Sequence, residues 1–255
     1  MKCVLWIALL ILATPLLSQS VIPGGTILPV RLNSSLNSGK VKAGQVITAR
    51  VVQDVPLSSG SKIHAGTKVI GHITDVKQGK EAQVSFRFDA IEISRQRIPV
   101  TTNLRALASM MAVEDAQIPA FGPDRGTSEN AWTTGQIGGE VVYRGGGPVA
   151  DGLRTVGEPA PNGVLVQVSG KPGTECRGTV EGNDQQQALW VFSSDACGAY
   201  GFADLTIIHA GRANPIGEIT VASDRGKVNV RAGSGILLRV NGTLNSPVSG
   251  ATGPS

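Results

Sequence analysis

Aromatic side chains make up only 4% of this chain, and histidine occurs three times. Glycine is abundant by contrast, with 33 residues. That balance suits turn-rich β-structure with glycine-rich loops. The absences also exclude familiar chemistry. There is no His-x-His or His-Glu-x-x-His spacing for a zinc centre. There is no Gly-x-Ser-x-Gly elbow, and Ser234 in "AGSGIL" precedes a strand pattern instead of joining strand to helix. The triplet Gly145–Gly147 does not meet the Walker pattern. Basic residues are not interleaved with aromatics, so no nucleic-acid partner is expected. No apolar run beyond the N-terminus is long enough for a membrane-spanning helix.

The N-terminus reads as a secretory signal peptide, residues 1–20. Lys2 supplies the positive start, "VLWIALLILATPLL" the apolar stretch, and Ser18 and Ser20 the small residues before cleavage at Val21. Cys3 lies inside that segment, which leaves Cys176 and Cys197. In an oxidising compartment their expected state is one disulfide. "NSS" at 33–35 and "NGT" at 241–243 match glycosylation sequons, relevant only on a eukaryotic secretory route.

Charge divides the chain. Residues 21–110 carry twelve Lys/Arg and five Asp/Glu, whereas residues 111–255 carry ten and fourteen. The basic residues of the first part are scattered singly through alternating strands, which reads as a solvated sheet face.

A small-residue turn followed by a short strand recurs. It appears in "IPGGTILPVRL", "KAGQVITARVV", "IHAGTKVIGHI" and "VRAGSGILLRV". Glycine permits a positive φ at the strand entrance, and the Thr, Gln or Ser after it can bond back to the turn. Leu28, Val30 and Leu32 point one way from the first strand; Ile27, Pro29 and Arg31 point the other. Gly71 marks a bulge or a close approach. A short helix is expected within 104–116, a hairpin across 218–233 turning at Asp224–Gly226, and a second hairpin between the cysteines. The fold expectation is all-β. A barrel-like body would use residues 21–107 together with 215–243. Residues 108–214 would form a loop-rich, disulfide-bearing β subdomain, and 244–255 a disordered tail.

Candidate sites are few. His64 and His209 occupy identical "IHAG" turns and are the weak candidates for a metal. With His72 they would also line the cleft of a hydrolase. Cys197 near His209 would suit a cysteine nucleophile only if Cys176 left its sulfur free. Trp190, Tyr200 and Phe202 flank the cysteine loop, and Trp132 lies in a loop. These four make either a binding surface or, for the cluster around the disulfide, a small core. No cofactor is implied.

The turn-strand units carry a resemblance. Gly25–Val55, Ile63–Val76, Phe86–Val100 and Gly226–Gly242 resemble, in order and style, the TrbI/VirB10-like β-barrel proteins of bacterial conjugation and type IV secretion. The similarity covers mainly residues 22–105 and 215–243. It implies a periplasmic barrel within an envelope-spanning channel, with no catalytic residues to carry over. In place of the family's two-helix antenna, this chain has the glycine-rich, cysteine-bearing segment. The expected role is a non-enzymatic envelope component in assembly or binding, linked to secretion or conjugation machinery. Its partners would be other envelope proteins, further copies of itself or a cell-wall polymer, in the periplasm or outside the cell. The alternatives are a carbohydrate- or peptidoglycan-binding protein and a secreted hydrolase.

Overall fold

The structure, a computed structural model, describes residues 22–117, 133–139, 142–144, 148–151, 153–170, 176 and 180–241. The expected signal peptide and tail lie outside these residues. The chain runs β1 (Ile27–Leu32), β2 (Leu36–Asn37), β3 (Val46–Val51), β4 (Val55–Pro56), β5 (Lys62–Ile63), β6 (Lys68–Lys77) and β7 (Ala82–Ile93). It continues through β8 (Gln96–Pro99), β9 (Thr102–Ala108), the helix α1 (Met110–Gln117), β10 (Thr133–Gly135), β11 (Val142–Arg144) and β12 (Val149–Asp151). The last strands are β13 (Arg154–Ala160), β14 (Gly163–Val168), β15 (Asn183–Ala188), β16 (Gly198–Tyr200), β17 (Leu205–Ala210), β18 (Ile219–Ser223), β19 (Asn229–Val230) and β20 (Gly235–Val240). The protein is all-β apart from α1.

Ten strands form one large sheet in the order β16-β9-β20-β1-β3-β6-β7-β18-β17, with β8 paired to β7 off that path. The first and last thirds of the chain therefore meet at its centre, where β1 and β20 run antiparallel from Ile27–Arg239 to Arg31–Gly235. The sheet also takes β16 and β17 from the segment that composition grouped with the insertion. These two strands lie at opposite ends of the ladder order, yet only residues 201–204 connect them. So short a link spans at most about 17 Å, so the sheet must curl round. It does not close into a barrel, so the expected barrel-like body is an open, curled sheet. Its end strands β16 and β17 do not pair with each other, and the ladder branches at β7, which pairs along one side with β6 but is shared along the other. There β18 takes Ala82–Phe86 and β8 takes Ala90–Ile93. Between them the Phe88 carbonyl accepts a bond from Thr102 Oγ1 at 3.1 Å, a side-chain contact in place of a ladder.

The recurrent turn does what its glycine suggests. Gly25, Gly44, Gly66 and Gly233 all have φ between 80° and 93°. Each also donates its N–H to a carbonyl of a neighbouring strand, respectively Val240, Ile73, Val51 and Leu32, at 2.7–2.8 Å. The turn thus places a strand entrance against the end of the adjacent strand. Local side-chain bonds follow in two of the four cases. Thr26 Oγ1 donates to the Pro23 carbonyl at 2.7 Å, and Lys42 N–H donates to Gln45 Oε1 at 3.2 Å.

A second sheet is a six-stranded meander, β10 to β15 in sequence order. It covers the outside of β1, β20 and β9. Those strands are largely buried on both faces, with Arg31 and Arg239 the half-buried exceptions. Leu28, Val30, Leu104, Leu107, Ile236 and Leu238 pack inside the curled sheet. Ile27, Ala106, Ala108 and Leu237 pack outward against Val149, Val164, Val166, Trp190 and Phe192. Ile27 and Pro29, on the face opposite the expected core, are therefore buried as well. Period two predicts alternation, but it cannot announce a second layer.

Several local expectations change for the same reason. Residues 102–108 form a strand, so the helix starts only at Met110. β18 pairs with β7 and β17, and β19 pairs with β2, so no hairpin forms at Asp224–Gly226. Between the cysteines, β15 pairs with β14 and residues 189–197 turn, so the expected hairpin is absent.

Gly71 is where β6 shifts register against β7. A Cβ at this position would overlap the Arg87 carbonyl oxygen on the neighbouring strand and crowd the Phe88 ring. Gly71→Ala is therefore expected to lower the unfolding free energy by about 1–3 kcal/mol through overpacking. A urea titration followed by far-UV circular dichroism measures it; an unchanged midpoint would contradict the close-approach account.

Candidate functional site

The two sheets meet along a seam crossed by three buried polar side chains. Arg105, on β9, is 1% exposed. Its Nε donates to the Ala196 carbonyl at 3.1 Å, and Nη1 to that of Glu181 at 3.4 Å. Nη2 donates to the carbonyls of Ser169 at 2.7 Å and Ser194 at 3.0 Å. One planar guanidinium therefore collects carbonyls from two connections, β14–β15 and β15–β16. Gln53 is fully buried; its Nε2 donates to the Val164 carbonyl and its Oε1 accepts from Trp190 N–H, each at 2.8 Å. Gln187 Oε1 accepts from Ile27 N–H at 2.9 Å, joining β15 to β1.

Burial pushes the Arg105 guanidinium down to about 10, with Arg212 and Arg239 adding repulsion. It stays protonated at neutral pH. Arg212 is lowered by the same two causes, burial first and Arg239 second. Arg239 is held by Glu181 at 2.5 Å. Arg212 Nη2 donates to the Leu104 carbonyl at 2.9 Å and lies 3.5 Å from Cys197 Sγ. The expected disulfide Cys176–Cys197 is present, closing a sequence separation of 21 residues beside this basic cluster.

The aromatic candidates are divided. Trp190 is 4% exposed, with φ of 54°. Its ring meets Phe192 edge-on at 6.4 Å and lies under the Arg31 guanidinium at 5.2 Å. It is a core residue. Tyr200 is half-buried; its hydroxyl accepts from Cys197 N–H at 2.9 Å and donates to the Cys197 carbonyl at 3.0 Å. Phe202 is half-buried against the interior of the large sheet. The three do not present a flat exposed strip. Trp132 lies outside the described residues.

The histidines each have local partners. His64 is 3.8 Å from Asp54, whose carboxyl is held below the usual range chiefly by its bond from Lys62. His72 contacts Asp89 at 2.7 Å. His209 Nδ1 is 2.5 Å from the Glu218 carbonyl. Among the described residues, no group of three His, Cys, Asp or Glu is arranged to hold a metal ion. None of these histidines contacts Cys197, whose sulfur is in the disulfide.

Sequence reasoning missed a cleft at the seam, about 520 Å³. Arg31, Gln117, Gln136, Trp190 and Val191 line it with the β13–β14 turn around Asn162. Gln136 is 7% exposed, yet its Oε1 has no hydrogen-bond partner; Arg31 Nε also lacks one. Among the described residues, no Asp or Glu lines the cleft. The only hint in the sequence was an arginine on an otherwise apolar strand, at Arg31.

Two stability outcomes follow from the seam. Arg105→Met should cost on the order of 3 kcal/mol or more, because each buried acceptor left unpaired costs about 1–3 kcal/mol. Arg105→Lys should recover part of this, since an ammonium cannot reach all four carbonyls. Equilibrium urea unfolding of the oxidised protein reads both; equal stability of Met and wild type would show that the clamp is dispensable. Replacing Cys176 and Cys197 together by Ser should cost about 2–4 kcal/mol. Mass analysis after alkylation without reductant should find Cys176 and Cys197 unalkylated in the wild type, and alkylation of both would reject the disulfide.

Compared with protein-family models and with curated proteins, the chain finds no match in either.

Proposed function

We propose that the protein is a non-enzymatic component of the cell envelope, exported to the periplasm or beyond, that works by binding or assembly. The observation that carries this reading is how the conspicuous polar side chains are used. Arg105, Gln53 and Gln187 are spent on backbone groups that lock two sheets together. The cleft beside them offers a guanidinium, amides and apolar walls, with no nucleophile paired to a base among the described residues. A disulfide staple suits an oxidising compartment. The resemblance to TrbI/VirB10-like proteins supports a place near secretion or conjugation machinery, with envelope proteins or further copies as partners.

Carbohydrate or peptidoglycan binding through the aromatic cluster finds less support, because Trp190 is buried and its face is occupied by Arg31. A hydrolase built on His64, His72 and His209 finds less as well, since each ring has a separate neighbour.

Crosslinking in intact cells, followed by affinity capture of the tagged full chain and mass spectrometry, is the test. Reproducible crosslinks to particular envelope proteins, or between copies, are expected. A protein recovered uncrosslinked that hydrolyses a model ester, peptide or glycoside would overturn the reading.

A further inference from the structure

We propose that the cleft at the sheet seam binds an N-acylated amino-acid unit, with the ligand carboxylate on Arg31 and its amide N–H on Gln136. This deepens the binding reading above by naming the chemistry of the ligand.

The argument begins with two unsatisfied groups. Gln136 is fixed in place because its neighbour Ile137 donates its N–H to the Val191 carbonyl at 2.8 Å and bridges to Phe192. Its side chain is more than nine-tenths buried and lines the cleft, yet Oε1 has no donor. A buried acceptor left in that state costs free energy that a ligand N–H would recover. Arg31, also on the wall, has no carboxylate partner among the described residues. Its Nη2 bonds only to Gln117 Oε1, an exposed contact at 3.2 Å, and its Nε is unpaired. The Trp190 ring under it holds the guanidinium plane without neutralising its charge.

The remaining wall selects the ligand further. Val52, Ala160, Val164 and Val191 supply apolar surface. Among the described residues the wall holds no Asp or Glu, so the free ammonium of an unmodified amino acid would face Arg31 without compensation. An acylated nitrogen keeps one uncharged N–H and removes that repulsion. A single arginine matches the one charge of a carboxylate and pairs with it in a planar fork. A sugar would want an open aromatic face, which Trp190 does not offer. The volume, about 520 Å³, is in the range that accommodates a small organic ligand. The same chemistry occurs in a free N-acyl amino acid and at the C-terminus of a peptide.

Titration of the exported, disulfide-bonded protein, followed by backbone amide NMR shifts, tests this with four probes. N-acetyl-valine and N-acetyl-valyl-valine present both groups. N-acetyl-valine methylamide lacks the carboxylate, and 2-acetoxy-isovaleric acid lacks the N–H. The two acids should shift the amides of Gln136, Val164 and Val191. Tighter binding of the first acid points to a free small molecule, and of the second to a peptide terminus. Removing either ligand group should weaken binding about tenfold, the worth of one good hydrogen bond. Gln136→Leu and Arg31→Gln should each do the same to the acids. The altered probes run the same test on unaltered protein should either variant fail to fold. No shift from either acid at about 1 mM, or a methylamide that binds as well as the acid, would overturn the proposal. Such a failure leaves the crosslinking result unaffected, and failed crosslinking leaves this titration unaffected.

Discussion

A buried positive charge holds this protein together. Arg105 sits on a strand that is buried on both faces, and its four donors take carbonyls at positions 169, 181, 194 and 196. Loops of irregular course must pair their backbone groups when buried, and no ladder reaches these. Arginine can satisfy several at once because its donors are splayed in a rigid plane. The charge itself is costly to bury, and the depressed affinity for its proton, down to about 10, reflects that cost. The geometry offsets it by leaving none of the surrounding carbonyls to face an apolar wall alone.

The second constraint is a shortage of aromatic bulk. A curled sheet of short strands has to fill its interior, and here mostly Val, Ile and Leu do so, with Phe86 and Phe88 meeting edge-on at 5.9 Å. The outer layer is filled differently. Ala106 and Ala108 keep that face of β9 low, which lets Trp190, Phe192 and Val113 of α1 dock against the sheet. The disulfide adds a covalent link on the same side, where Arg212 ties the Leu104 carbonyl to the neighbourhood of Cys197. The cleft is a by-product of this docking. It opens where the β13–β14 turn, the end of α1 and β1 fail to meet, and the polar groups of Arg31 and Gln136 are left at its wall.

Much of the strand content was legible because the sequence alternates and punctuates itself. Each "AG" or "GG" turn before a strand demanded a positive φ, and the four glycines adopt it. Gly71 announced a close approach because a strand rarely interrupts β-branched residues with glycine otherwise. The candidate site was far less legible. For Trp190 the sequence left open a ligand surface or a small core beside the disulfide; the chain turns there with a positive φ, and the ring packs inward as core. Gln53 and Gln187 looked like ordinary polar residues, because their partners lie 137 and 160 positions away.

The sequence by itself determined many of the strands, where glycine turns must fall and which cysteines can pair, because period, φ and the supply of thiols are local properties. The tertiary structure alone decided that the sheet curls without closing, its end strands β16 and β17 left unpaired to each other. It alone decided that β1, β9 and β20 are covered twice, and that Arg105 is a clamp and not a surface charge. Those outcomes depend on which distant backbone carbonyls and apolar faces come within reach, and no local pattern carries that information.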